Sequence, residues 1–397
     1  MAATPSSPSA RIKLHSIAYT EFEDEAFAWK LDDLELANIN LIVGKNATGK
    51  SRVLRVIHGL ARLIDGAVTR DSLFNGRYKA IFQRDEGIPD LEYTFSIFEN
   101  KVTSEKLTLQ EVVRLERGKD GKGKLRFEKN DISLDVEIPA MHLASTARRD
   151  AVQHPFFEPL HWWASSVKYC EFSKMENRAF SAFEGKISFD VAQSIPFQDS
   201  LHLLVKLGKE KYVRTFESAV ISDMRRIGYD ITDFGLMPVK GISIALIDNA
   251  SPQTLFVVEK GIETKIPQIG ISNGMLRALA TLIFLHSTRL NRRRDCLLID
   301  DIGEGLDFER ASKLISILIE EAEKGFIQLV MTTNDRFVMN GVPLKYWSVI
   351  RRDGGKVTVF NEKNSQKQFS DFEEYGFNNF DFFSKEFYSK GISSTKS

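Results

Sequence analysis

The pattern of apolar and polar positions divides the chain into strand-like and helix-like stretches. Residues 12–17, 26–31 and 91–97 alternate between apolar and polar side chains. Alternation with a period of two is typical of strands with one buried face. The stretch Lys-Asp-Gly-Lys-Gly at 119–123 predicts a turn between two further strands. We therefore expect antiparallel hairpins in the first 150 residues.

Other stretches are apolar almost throughout. Residues 39–43, 296–299 and 326–331 are of this kind. Such runs are typical of strands that are covered on both faces, as in a parallel sheet. Helical patterns cover residues 51–64 and 275–290, so strands and helices together predict an α/β fold.

The same patterns predict five successive segments. Residues 1–10 are small and polar, which is typical of a disordered lead-in. Residues 11–150 and 239–360 carry the two sets of predicted strands, the second of which includes strands at 242–247 and 254–258. Residues 151–238 predict a mainly helical insertion. Its prolines and its lack of sustained heptads argue against a coiled-coil arm. Residues 361–397 form an acidic, aromatic tail, which either docks a protein partner or neighbouring protomer, or packs back on its own domain.

Charge and composition narrow the range of functions. Lys and Arg number 54, and Asp and Glu also number 54, so no global basic excess indicates nucleic acid, although a local contact stays possible. The basic stretch 114–129 fits either a phosphate-backbone contact or a solvated hairpin. The two cysteines, Cys170 and Cys296, lie far apart, and the longest apolar run, 278–285, is far too short to span a membrane. We expect a cytoplasmic protein without a membrane segment.

The strongest local pattern lies directly after the first apolar run. Residues 44–51 fit G-x-x-x-x-G-K-[ST] between a predicted strand and a predicted helix. The residues are Gly44, Lys45, Asn46, Ala47, Thr48, Gly49, Lys50 and Ser51. In such a loop, backbone N–H groups point into one concavity at a helix N-terminus, where partial positive charge accumulates. The pattern predicts a bound nucleoside triphosphate, with Lys50 at the β- and γ-phosphates and Ser51 ligating Mg²⁺.

A second set of candidate residues begins near position 270. Ser272 suits the N-cap of the predicted helix 275–290, and Gly274 follows it. The apolar run 296–299 ends in Asp300 and Asp301. Carboxylates at such a strand end can hold Mg²⁺ through water and polarise an attacking water, although an isolated example is equally well an acidic turn.

Two further groups follow in the chain. The sequence Gly-Glu-Gly-Leu-Asp at 303–307 precedes a predicted helix, and the apolar run 326–331 ends at the polar stretch 332–335, Thr-Thr-Asn-Asp. A γ-phosphate sensor would lie at such a strand end.

In this order, the motifs resemble those of ABC-type ATPases of the SMC/RecF/OLD branch, particularly small bacterial AAA-family ATPases of phage-defence and DNA-repair type. The resemblance covers residues 11–66 and 240–360. It implies a P-loop NTPase head of the ABC type, with a mainly parallel sheet, an antiparallel β-subdomain and a helical insertion. It also implies ATP and Mg²⁺ as ligands, and a homodimer or higher oligomer that sandwiches ATP.

The resemblance implies a role for each candidate residue. Residues 44–51 are the Walker A loop, and Asp300 is the Walker B acid that binds Mg²⁺ together with Ser51. Ser272 and Gly274 belong to the signature loop, which completes the site of the opposite protomer, and Asp307 matches the D-loop acid. The implied catalytic residues are Lys50, Asp300, Asp301 and Asn334.

Two positions depart from the family pattern. Asp301 stands where a glutamate is usual, and its shorter side chain implies slow hydrolysis unless Glu304 compensates. Asn334 stands where a histidine is usual, and an amide cannot carry a proton charge as an imidazole can. The glutamine of the lid loop has only Gln83 as a weak candidate.

Several functions compete for this motif set. The wide separation of Ser51 and Ser272 disfavours a transporter subunit, and no N-K-x-D sequence indicates a GTPase. A small-molecule kinase would explain neither the Ser-x-Gly helix nor the Asp-Asp strand. The resemblance leaves an ATPase that controls a separate effector in phage defence, such as a nuclease or toxin, or a DNA-repair ATPase that acts directly on DNA. The short stretch after residue 361 favours a separate effector.

Overall fold

The structure, a computed structural model, describes residues 12–23, 25–66, 75–84, 91–170, 172, 181, 188, 195, 197–239, 252–373 and 376–391. The predicted lead-in 1–10, the predicted strand 242–247 and most of residues 173–196 lie outside these residues. The chain forms two compact units. The first unit comprises Met1–Val167 and Pro343–Ser397, and the second comprises Lys168–Val342.

The strands are β1 (Ile12–Glu21), β2 (Trp29–Glu35), β3 (Ile39–Val43), β4 (Gly76–Arg84), β5 (Leu91–Phe98), β6 (Lys101–Leu109), β7 (Val112–Arg117), β8 (Lys122–Phe127), β9 (Ile132–Glu137), β10 (Val167–Cys170), β11 (Ile231–Pro238), β12 (Gln253–Glu259), β13 (Ile266–Pro267), β14 (Asp295–Ile299), β15 (Ile327–Thr333), β16 (Trp347–Asp353) and β17 (Lys356–Asn361). The helices are α1 (Lys50–Asp65), α2 (Ala144–Ala147), α3 (Glu158–Ser166), α4 (Phe197–Ile227), α5 (Asn273–Leu290), α6 (Phe308–Glu323), α7 (Arg336–Gly341), α8 (Gln366–Glu373), α9 (Asn379–Ser384) and α10 (Phe387–Lys390).

The sheet of the first unit is mixed. Its strands lie in the order β3-β16-β17-β2-β1-β4-β5-β6-β7-β8-β9. The pairs β3–β16 and β17–β2 are parallel, whereas β16–β17, β2–β1, β1–β4 and every further pair out to β9 are antiparallel. Burial alternates along β5, so that one face of the strand, which includes Tyr93 and Phe95, lies in the core. The predicted antiparallel β-subdomain is confirmed.

The alternation at 26–31 predicts a strand that starts too early. β2 begins only at Trp29, because a turn with a hydrogen bond from Ala28 N to Glu25 O precedes it and leaves Phe27 exposed. The predicted turn at 119–123 is confirmed as the β7–β8 connection, where Gly121 has φ +77°. Local turn chemistry is therefore the better guide to strand ends here.

Two arginines of the basic stretch 114–129 are engaged inside the first unit. Arg117 is fully buried, and its Nε donates to Glu105 Oε2 at 2.6 Å. Arg114 pairs with Glu128 at 2.8 Å. Burial raises the pKa of Glu105, and Arg117 opposes that rise. Both arginines therefore pair with carboxylates of their own unit, and these ion pairs stabilise the β7–β8 hairpin.

The second unit is built around helix α5. β14 and β15 pair in parallel, β10 lies beside β14, and β11, β12 and β13 form a separate small sheet. Most of α5 is buried, and it packs along α4. Helix α4 is interrupted at Val213, where φ is 37°. The segment 151–238 therefore contains the helices α3 and α4, but also the strands β10 and β11.

The aromatic tail packs back on the first unit as far as the structure describes it. Phe372, Phe382 and Phe387 are buried, and the ring of Tyr388 lies 5.1 Å from that of Phe360 on β17. Of the two alternatives for the tail, packing on its own domain is thus the one observed. Among the described residues, no helix is both long and apolar enough to cross a membrane.

Candidate functional site

The candidate residues are divided between the two units. Residues 44–51 belong to the first unit, and Ser272, Gly274, Asp300, Asp301, Asp307 and Asn334 belong to the second. The structure brings the second set together in part, around the carboxyl ends of β14 and β15 and the start of α5.

The backbone of loop 44–51 has the shape that its glycines permit. β3 ends at Val43 and α1 begins at Lys50, as predicted. The N-cap of α1 is Gly49, with φ 106°, a conformation that glycine adopts readily. Since glycine has no side chain, Gly49 caps no backbone N–H group of α1 through a side-chain oxygen.

Gly44 is required by close packing. Because Val43 pairs with Val349, Gly44 comes next to Ile350. A Cβ on Gly44 would lie 2.6 Å from Thr48 Oγ1 and 2.8 Å from the Ile350 carbonyl oxygen. These separations are too short for any side chain, so the loop closes only around glycine.

Two side chains of the loop bond back to its own carbonyl groups. Lys50 Nζ is buried and donates to Gly44 O at 2.8 Å and to Lys45 O at 3.3 Å. Thr48 Oγ1 donates to Lys45 O at 2.8 Å. The Lys50 ammonium is therefore held inside the loop by its carbonyl groups.

Sequence patterns gave no sign of two contacts that support this loop. The buried Trp29 ring packs against Gly49, and the Arg52 guanidinium stacks on that ring at 4.5 Å. From the C-terminal segment, Glu386 accepts a hydrogen bond from Lys45 Nζ at 2.8 Å. Hydrogen bonds from Lys390 and Lys45 lower the pKa of Glu386 to about 2.

The acid pair of the second unit lies in a turn held by side-chain hydrogen bonds. Ile299 pairs with Met331 in the parallel ladder, so Asp300 and Thr332 leave their strands side by side. Thr332 Oγ1 donates to Asp300 Oδ1 at 2.6 Å and accepts from Asp301 N at 2.9 Å. Tyr169 Oη donates to Asp300 Oδ2 at 3.3 Å. Both oxygens of Asp300 therefore accept bonds that fix its orientation.

Glu304, which the sequence suggested as a substitute for Asp301, is bonded to Arg277. Glu304 accepts from Arg277 Nη1 through both its carboxylate and its carbonyl oxygen, at 2.8 Å each. Asp301 lies two residues after the end of β14, with its backbone in the left-handed region at φ 49°.

Ser272 and Gly274 lie at the start of helix α5, where Ser272 is the N-cap as predicted. Ser272 is exposed and caps the helix, its hydroxyl accepting from Met275 N at 3.4 Å. Gly274 is buried against the turn 303–307, and a Cβ there would lie 2.2 Å from Gly305 O. The start of α5 and this turn therefore fit together only without a side chain at Gly274.

Asp307 and Asn334 are exposed at the starts of two helices. The Asp307 carboxylate caps α6 by accepting from Arg310 N at 2.9 Å, and this bond lowers its pKa. Asn334 precedes Asp335, which caps α7. One candidate is wrong: Gln83 lies inside strand β4, paired with Lys13, and not in a lid loop.

Residues 180–340 match the model of the AAA_21 family, described as "AAA domain, putative AbiEii toxin, Type IV TA system". The matched range is less than half of the chain and does not include loop 44–51. No curated protein matches the sequence.

Solved structures of SMC heads are similar in fold. An SMC head bound to the C-winged helix domain of ScpA gives a TM-score of 0.50 at 13% identity, covering 89% of this chain and 99% of that chain. An SMC head with an extended coiled coil, bound to the C-terminal domain of ScpA from Pyrococcus furiosus, gives 0.47 at 10% identity, with 91% and 100% covered. The SMC head domain from Thermotoga maritima gives 0.43 at 10% identity, with 88% and 98% covered. The first of these shows that the chain has the fold of an SMC head, which confirms the predicted ABC-type P-loop architecture.

Proposed function

From this SMC-head fold, we propose that the protein is an ATPase whose ATP-dependent dimerisation controls a separate effector protein. The observation that carries the proposal is loop 44–51, in which a left-handed Gly49 opens helix α1 and Lys50 lies buried beside the loop carbonyls. Backbone N–H groups at a helix start, with an ammonium beside them, bind phosphate groups.

Two side chains offer oxygen atoms of the kind that Mg²⁺ prefers, the Ser51 hydroxyl in the first unit and the Asp300 carboxylate in the second. Mg²⁺ in phosphate sites needs only one or two protein oxygens besides phosphate and water. Among the described residues no group of three or more His, Cys, Asp and Glu side chains could hold a metal ion. When bound, Mg²⁺ would neutralise charge on the phosphate oxygens. Asp301 would orient the attacking water.

The dimer is proposed from the exposed residues of the second unit. Ser272 and Asp307 are solvent-exposed at the starts of α5 and α6, so both are available to a second copy of the chain. We propose that Ser272, Gly274 and Asp307 complete the ATP site of the opposite protomer, while Asn334 serves as the γ-phosphate sensor. Binding of ATP would then close the dimer, and hydrolysis would reopen it.

The effector and the defence role rest on two likenesses. The description of the matched family mentions a toxin and a type IV TA system. One of the similar SMC heads is bound to a domain of another protein, ScpA. We propose that this chain likewise acts with a separate protein, a nuclease or toxin, in defence against phage within the cytoplasm. The alternative, an ATPase that acts directly on DNA in repair, would show itself by DNA-stimulated hydrolysis.

The test is ATP-dependent association of the full-length chain, followed by size-exclusion chromatography with light scattering. We expect Lys50→Ala to lose ATP binding, because it removes the buried ammonium. We expect Asp301→Asn to bind ATP and to accumulate as a dimer, because it retains the site but hydrolyses ATP slowly. Glu362→Gln, which alters an exposed carboxylate beyond both motifs, should behave as the wild type.

The outcomes separate the parts of the proposal. If neither Lys50→Ala nor Asp301→Asn changes ATP-dependent association, the sandwich dimer is wrong. If the wild type binds no ATP, the ATPase assignment itself is wrong. Hydrolysis that rises strongly with added DNA would favour the repair function, whereas co-purification of a nuclease or toxin with the Asp301→Asn dimer would favour effector control.

A further inference from the structure

We propose that Thr332 is a positioning residue that fixes both acids of the turn after β14, and that Tyr169 assists it at Asp300. The inference rests on the proposed ATPase function, because it assigns a role in that same site. Neither residue belongs to loop 44–51. Thr332 contacts Asp300 and Asp301, whereas Tyr169 contacts Asp300.

Thr332 is bonded to three successive residues of the turn. Its Oγ1 contacts Asp300 Oδ1 at 2.6 Å and Asp301 N at 2.9 Å, and its carbonyl oxygen accepts from Ile302 N at 3.0 Å. The side chain is 1% exposed, so water does not compete for these bonds. One residue of β15 therefore bonds to Asp300, Asp301 and Ile302 in succession.

The direction of each bond follows from the donors. The backbone N–H of Asp301 can only donate, so the Thr332 hydroxyl must accept there. Its single proton is then left for Asp300 Oδ1, which must accept. Tyr169 Oη donates to the other oxygen, Oδ2, at 3.3 Å. Asp300 is thus held as an acceptor at both oxygens, which fixes the rotamer of the acid proposed to bind Mg²⁺.

The backbone of Asp301 also depends on Thr332. Asp301 has φ 49°, a left-handed conformation that side-chain-bearing residues adopt rarely and under strain. Such a conformation persists where neighbouring contacts over-determine it. Thr332 supplies these contacts on both sides, at Asp301 N and at Ile302 N. Removing the hydroxyl would therefore release the direction of the proposed water-orienting acid.

The test compares Thr332→Val, which keeps the shape and removes the hydroxyl, with Thr332→Ser, which keeps the hydroxyl. Mutation of a residue that orients a metal ligand typically lowers metal affinity or activity by about 10–100-fold. We expect Thr332→Val to lower kcat by about that factor and to raise the Mg²⁺ concentration for half-maximal rate. ATP affinity without Mg²⁺ should stay within about threefold of the wild type, because loop 44–51 is unchanged. Thr332→Ser should recover most of kcat, and Tyr169→Phe should cost less than Thr332→Val.

Thr288 provides a matched control. It is also a fully buried threonine of the second unit, and its Oγ1 donates to Asp295 Oδ2 at 2.6 Å. Thr288→Val removes the same kind of bond but leaves the acid turn intact. We expect it to lower thermal stability as Thr332→Val does, while kcat and the Mg²⁺ dependence do not change.

The readouts discriminate between a positioning role and a merely structural one. The inference is overturned if Thr332→Val and Thr288→Val affect kcat equally, or if Thr332→Ser is as impaired as Thr332→Val. Should Thr332→Val fail to fold, the kcat and Mg²⁺ dependence of Tyr169→Phe and Thr332→Ser decide the matter. A wild type that neither binds nor hydrolyses ATP overturns the proposed function, and this inference with it.

Discussion

Two regions keep their shape by different means. They are loop 44–51 of the first unit and the acid turn of the second unit, which follows β14 and carries Asp300 and Asp301. In the loop, glycines at 44 and 49 permit a backbone path that side chains would block, and Lys50 bonds to the loop's own carbonyls. In the acid turn, Asp301 adopts a left-handed conformation without glycine, and bonds from Thr332 and Tyr169 hold Asp300.

The difference shows which substitutions each region tolerates. We expect a loop defined by its backbone to fail when a Cβ is added, but to keep its path when a side chain that supports it from outside the loop is lost. A turn defined by side-chain hydrogen bonds keeps its path only while those bonds persist, so deleting one hydroxyl should matter there. The predictions below test this contrast, beginning with the largest effect.

The largest effect is expected for Gly44→Ala. Its Cβ would meet Thr48 Oγ1 at 2.6 Å and backbone at 2.8 Å, so the loop must open. Because the N–H groups proposed to bind the phosphates would then diverge, we expect ATP affinity to fall by at least about 100-fold. Overpacking should also cost about 1–3 kcal/mol of unfolding free energy. Isothermal titration with ATP and thermal melting measure the two effects.

The matched control for this change is Gly341→Ala. A Cβ at Gly341 would meet nothing within 4 Å, so ATP affinity and melting temperature should stay close to those of the wild type. If Gly44→Ala binds ATP as tightly as Gly341→Ala does, the loop does not depend on its backbone packing.

Gly274→Ala tests whether the second unit also contains a backbone-defined contact. Its Cβ would lie 2.2 Å from Gly305 O, which must push the start of α5 away from the turn 303–307. Small displacements of positioning groups can cost up to about 100-fold in rate. We expect kcat to fall by about tenfold or more while ATP affinity changes less than about twofold, measured by steady-state hydrolysis and nucleotide titration.

A control and a contradiction accompany this prediction. Gly261→Ala alters a glycine of the same unit whose added Cβ meets nothing within 4 Å, so it reports only the strain of a positive φ. A Gly274→Ala protein with unchanged kcat would mean that the fit of α5 against this turn has no part in hydrolysis.

How much could be predicted depended on the sequence distance between partners. Loop 44–51 is contiguous, and its pattern encodes strand, turn and helix start together, so it was predicted residue by residue. Thr332 contacts an acid 32 positions earlier, and Tyr169 contacts the same acid across 131 positions. Such contacts depend on which strands become neighbours, and periodicity in a single sequence does not reveal that order. The polar stretch 332–335 predicted a phosphate sensor, a role proposed here for Asn334, but it gave no sign that the Thr332 hydroxyl bonds to Asp300.

The same reasoning explains the C-terminal segment. Glu386 and Lys45 are 341 positions apart, and both look like ordinary surface charges in sequence. Composition therefore left two alternatives for the aromatic tail, and only the packing of its rings on the first unit decided between them.

Glu386→Gln is expected to have the smallest effect. It tests most directly whether loop 44–51 depends on side-chain contacts. The variant removes the ion pair to Lys45, but the loop's glycines and the Lys50 bonds stay in place. Partly exposed ion pairs contribute little, so we expect the melting temperature at pH 7 to fall by at most about 1–2 °C and ATP affinity to change less than about twofold. Asp371→Asn, in the same segment, is the control.

The pH dependence gives this prediction its sign. Because Lys390 and Lys45 lower the pKa of Glu386 from 4.5 to about 2, its stabilising contribution is fully present above pH 4.5 and disappears as the pH falls toward 2. The small difference in melting temperature between wild type and Glu386→Gln should therefore shrink across that window. If Glu386→Gln instead lost ATP binding as Gly44→Ala does, the loop would depend on side-chain contacts as the acid turn does, and the contrast between the two regions would not hold.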